Sequence, residues 1–84
     1  MKVKIVKELP VFEDSSKPHP RRRVVILQRD DGYFTFSEEY HYVSVYEGRL
    51  IAMGWVRLPF MGGIYATAEI AEREGRAAYA HWYR

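Results

Sequence analysis

The hydrophobic period of this 84-residue chain changes once, and that change limits the folds open to it. From Arg22 to Trp55, apolar residues alternate or run in short β-branched blocks, broken at Asp31-Gly32 and Glu47-Gly48. That is the pattern of strands joined by tight turns. From Thr67 to Trp82 the spacing becomes helical, with Ala68, Ala71, Gly75, Ala78, Tyr79 and Trp82 on one stripe. The expected fold class is α+β: a small antiparallel meander sheet of four or five strands, with one C-terminal helix packed on one face.

Individual residues sharpen this outline. Val24-Val25-Ile26-Leu27 is a β-branched run short enough for a central strand, and Gly32 supplies the positive φ needed to turn it back through residues 33–40. Residues 42–46 and 49–58 form a second hairpin around Glu47-Gly48, with Gly54 marking a weak point or bulge and Pro59 ending the strand. At the N-terminus, Val3 and Ile5 alternate with Lys2 and Lys4 in a strand whose basic face discourages pairing with other chains. Thr67 is placed to cap the helix, and Gly75, costly in a helix, marks its close approach to the sheet. Glu69 with Arg73 and Glu72 with Arg76 are spaced for ion pairs on the outer face. Residues 10–20, with three prolines and a polar run, read as a mobile loop within a single domain spanning 1–84.

Composition narrows the function classes. A chain this short buries about 60–65% of its extended surface, which leaves a thin core and little room for a deep catalytic pocket. There is no cysteine to form a disulfide or thiolate zinc site, and no cofactor is expected. No apolar run approaches the length of a signal sequence or a membrane span, so the expected setting is cytoplasmic, with no membrane contact. Net charge is only +2, so the placement of charge matters more than its sum.

Two groups of residues are candidates for function. Lys17, Arg21, Arg22 and Arg23 form the densest cationic stretch, held extended by Pro18 and Pro20, and are the candidate anion or nucleic-acid contact. The alternative is a solubilising loop; on the nucleic-acid reading, replacing Arg21, Arg22 and Arg23 with glutamine abolishes the binding and leaves the melting temperature nearly unchanged, since an exposed loop contributes little to the core. Tyr42, Tyr46, Trp55 and Phe60 are the candidate interaction patch, drawn from an aromatic content that one short helix is too small to cover. Glu38, Glu39 and His41 are the nearest approach to a metal or acid–base group, but two ligands on one strand face do not make a site. No catalytic residue is assigned, and an enzyme is not expected.

The stretch from Arg22 to Phe34, together with Gly63-Ile64-Tyr65 and Ala71-Glu72-Arg73-Glu74, resembles a group of short uncharacterised bacterial proteins over about residues 22–82. The resemblance implies a hairpin and a helix start, and no activity. The leading expectation is a non-catalytic module that binds a protein partner, a second copy of itself included. The alternative is a nucleic-acid-binding module using residues 17–23.

Overall fold

The computed structural model describes residues 2–83, apart from the side chains of Phe60 and Met61. Five strands and one helix follow in order: β1 (Val3–Glu8), β2 (Phe12–Glu13), β3 (Arg21–Arg29), β4 (Phe34–Tyr46), β5 (Arg49–Met61) and α1 (Ala68–Ala78). The strands form one curled antiparallel sheet in the order β1-β3-β4-β5, and β2 continues the β1 edge along β3. The meander and its C-terminal helix are therefore as the hydrophobic pattern predicts. Among the described residues no helix is long and apolar enough to cross a membrane.

The first hairpin turns at Asp31-Gly32, with Gly32 at φ 87°, and sets Ile26 opposite Phe36 and Val25 opposite Ser37. Alternation then sorts the core. Val24, Ile26 and Phe36 face α1 and pack with Leu9, Ala71 and Tyr83. Val25, Leu27, Thr35 and Ser37 are equally buried on the other face, inside the curl of the sheet, where the Thr35 hydroxyl donates to the Gly62 carbonyl at 3.2 Å.

The helix begins where Thr67 accepts the Ile70 N–H at 3.2 Å. Its buried residues are Ala71 and Gly75, and a Cβ built on Gly75 would lie 3.2 Å from the Phe36 ring, so glycine permits the close approach. Gly62 lies against the far edge of the same ring, and a Cβ there would overlap it. Ala78, expected on the inner stripe, is exposed. The helix ends there, and its inner face is centred on Ala68, Ala71, Gly75 and Tyr79 instead. Of the two expected outer-face pairs, Glu72 with Arg76 forms at 2.9 Å, and Glu72 also bonds Lys7 at 2.9 Å.

Several local expectations are corrected. Residues 33–46 are not two strands: β4 runs unbroken for 13 residues. Gly54 is no bulge. It pairs in register with Tyr42, whose ring lies 3.4 Å from the site of the missing Cβ, while the register shifts fall between Ser44 and Val45 and between Ser37 and Glu39. Pro59 does not end β5, because it falls in the register shift between Arg57 and Met61, where the absent N–H has no β4 partner to lose. Within residues 10–20, Phe12 and Glu13 form β2, and the Phe12 ring stacks on Trp82 at 4.7 Å. Pro10 interrupts that edge, and the Tyr83 hydroxyl closes the gap by accepting the Val24 N–H at 3.1 Å and donating to the Pro10 carbonyl at 2.7 Å.

Candidate functional site

Beyond Tyr40, β4 loses β3 as a neighbour and continues with β5 as a two-stranded arm, which turns at Glu47-Gly48 with φ of 51° and 76°. Two positive φ values in a two-residue loop match the right-handed twist of the strands. An isolated hairpin is only marginally stable in water. This one is held because both strands are rooted in the sheet.

The arm exposes its apolar residues. Val43 is 57% exposed, Val45 59%, Leu50 60%, Ile51 61% and Met53 58%. Register places Val43 opposite Met53 and Val45 opposite Leu50, so four of these share one face. Tyr42, Ser44 and Tyr46 occupy the other, opposite Gly54, Ala52 and Arg49. Single exposed apolar residues are ordinary, whereas here several adjoin one another on a projecting element.

The predicted interaction patch is divided by this arrangement. Tyr46 is exposed and Tyr42 is half-buried over Gly54. Trp55 lies on the opposite face, with the Arg23 guanidinium 4.2 Å above its ring and His41 edge-on at 5.1 Å. The Phe60 side chain lies outside the described residues. The residues missed by sequence reasoning are Val43, Val45, Leu50, Ile51 and Met53. Their alternation is visible in the sequence, but alternation alone does not tell a covered face from an uncovered one.

The cationic candidates are divided as well. Arg22 is only 8% exposed, donating to Glu38 at 2.8 Å and to the His19 carbonyl at 2.9 Å. Arg23 points to the other face, where it pairs with Glu39 at 2.9 Å and Glu8 at 3.3 Å. Arg57 reaches the same Glu39 at 3.5 Å, so both candidate carboxylates of the strand, Glu38 and Glu39, are occupied by arginines. Lys17 and Arg21 remain exposed, with Arg21 only 3.9 Å from Glu13. The four cations thus do not form one surface. Replacing Arg22 or Arg23 would strip a partner from a nearly buried carboxylate, which contradicts the expectation that these residues are dispensable for stability.

Two tyrosines define the electrostatics where helix and sheet meet. Burial, reinforced by donation to Glu38 at 2.9 Å, holds the Tyr79 phenol well above its usual range. Burial also raises Tyr83, against the opposing effect of the Val24 N–H bond. Hydrogen bonds from Lys7 and Arg76 hold Glu72 below the ordinary carboxylate range, and the Ser16 hydroxyl and N–H do the same for Asp14. Among the described residues no group of three or more histidines, cysteines or carboxylates is arranged to hold a metal.

No protein family model, curated protein or solved structure matches this chain.

Proposed function

We propose that this chain is a small non-catalytic protein-interaction module whose contact surface is the β4–β5 arm. The observation that carries this reading is the continuous exposure of Val43, Val45, Leu50, Ile51 and Met53 on an element that contributes little to the core. Burying such apolar area against a partner contributes about 25 cal/mol per Å² before the costs of association. The nucleic-acid reading is weakened, since two of its four cations are turned inward to carboxylates.

The test uses the full chain with Val43→Thr, Val45→Thr, Leu50→Gln and Met53→Gln combined, because these keep strand propensity and remove apolar area. Self-association is followed by sedimentation. Proteins captured from cell extract are identified and rebuilt as purified binary complexes. The expected result is at least one association, with itself or another protein, that weakens about tenfold or more in the arm variant and is unchanged by Lys17→Gln. If neither self-association nor any rebuilt complex responds to the arm variant, the reading fails.

A further inference from the structure

The outer edge of the arm has a property that its apolar faces do not explain. In β4, Phe34 exchanges both backbone hydrogen bonds with Tyr65, and the Phe36 carbonyl accepts the Gly62 N–H at 2.8 Å. These even-numbered residues therefore turn their backbone groups toward the β5 side. The register shifts skip residues of β5 while β4 runs straight: Ser37 to Glu39 spans Met61 to Arg57, and Ser44 to Val45 spans Ala52 to Leu50. Parity is thus preserved along β4. The N–H and C=O groups of Val43 and Val45 point away from β5, onto an edge that no described strand pairs beyond Tyr40.

That edge is self-complementary. Tyr42-Val43-Ser44-Val45-Tyr46 reads the same in both directions. We propose that two copies of the chain pair antiparallel along this edge, with a two-fold axis at Ser44. Val43 then lies opposite Val45 of the second copy, and Tyr42 opposite its Tyr46. Because both valines carry outward backbone groups, each Val43–Val45 pair exchanges both of its hydrogen bonds, which only this parity allows. Shifting the axis by one residue, to Val43 or Val45, keeps the backbone bonds but sets unlike residues opposite each other and breaks the symmetry of the tyrosines.

The surroundings suit a second copy. Residues 18–21 stand off His41, Val43 and Met53 across an open groove of about 580 Å³, beside the edge where the partner's turn would arrive. Glu13 and Arg21 line that groove, joined only by a 3.9 Å contact. The arriving turn carries Glu47 and Arg49, giving crosswise opposite charges: Glu47 of the second copy to Arg21, and its Arg49 to Glu13. The two-fold axis repeats both pairs.

This inference rests on the arm being the contact surface, and its test separates the two. The mass of the full chain is measured by sedimentation from micromolar concentrations upward, with an expected dimer of twice 9.9 kDa. Val45→Pro removes an outward N–H without touching the ladder to β5 and should weaken the dimer about tenfold or more while leaving the melting temperature near that of the wild type. Should Val45→Pro fold poorly, the cross-link decides by itself. A residue facing its own copy in a non-hydrogen-bonded antiparallel pair has its Cα about 4.5 Å away, within disulfide range. The chain has no cysteine of its own, so Ser44→Cys should form a covalent dimer under mild oxidation and Met53→Cys should not. A monomer at every concentration, or cross-linking at Met53→Cys in preference to Ser44→Cys, overturns the proposal. A dimer that is not weakened by Val45→Pro also overturns it, while leaving the interaction reading in place.

Discussion

The two halves of β4 are built from similar residues and put to opposite uses. From Phe34 to Tyr40 the strand has β3 on one side and α1 above it, and Phe36, Thr35, Ser37 and Glu39 are all buried. From Tyr42 to Tyr46 the same strand has lost β3, and Val43, Val45 and Tyr46 are exposed. Neither half is more strand-like than the other in composition. The difference comes from what lies alongside: β3 begins at Arg21, so the inner half has neighbours and the outer half does not. Side-chain chemistry sets which residues form strands, while the length of the neighbouring strand sets which of them face water.

The contrast can be attacked first at Phe36, which Gly75 and Gly62 hold from two sides. Phe36→Ala should destabilise by about 3–5 kcal/mol, much of the stability of a domain this size, and chemical denaturation measures it. Gly75→Leu should cost about 1–3 kcal/mol by overpacking against that ring, and an unchanged melting temperature would show that the helix does not press on the inner half at Gly75.

A smaller effect is expected at the seam. Tyr83→Phe leaves the Val24 N–H and the Pro10 carbonyl without their shared partner and should cost about 1–2 kcal/mol. The same tyrosines give a pH dependence. Tyr79 and Tyr83 have phenol pKa values raised by folding, so their contribution is fully present below the ordinary value of about 10 and is lost as pH rises beyond it. Phenolate absorbance should show these two ionising together with alkaline unfolding, and separate transitions would contradict the assignment. The smallest effect belongs to the arm: Val43→Thr and Leu50→Gln should each change the stability of the monomer by no more than about 0.5 kcal/mol. A larger loss would mean that the arm belongs to the core and that the contrast is false.

Much of the fold was legible because local chemistry and tertiary structure agree. Gly32 and Gly48 adopt the positive φ their turns require, Thr67 caps the helix, and Gly75 marks its approach to the sheet. The arm was legible as a hairpin but not as a surface, since Val43 and Val45 alternate just as buried valines would. The arginines misled for a related reason. Arg21, Arg22 and Arg23 are adjacent in sequence, but successive strand residues point to opposite faces, and the carboxylates that receive Arg22 and Arg23, Glu38 and Glu39, lie 16 positions away. The intrinsic habits of Pro59 and Gly54, to end a strand and to mark a bulge, are overridden by a shift in register and by an overlying tyrosine ring.

The hydroxyl of Tyr83 that spans the gap at Pro10 also sets an order of events during synthesis. Its acceptor lies 73 residues upstream, so every strand is synthesised before the group that completes the first edge. Until then the nascent sheet carries an open seam at Pro10 as well as the bare edge of the arm, both of them places where a neighbouring chain can pair. Docking of the helix tail removes the first of these and, among the described residues, leaves the second open along β4.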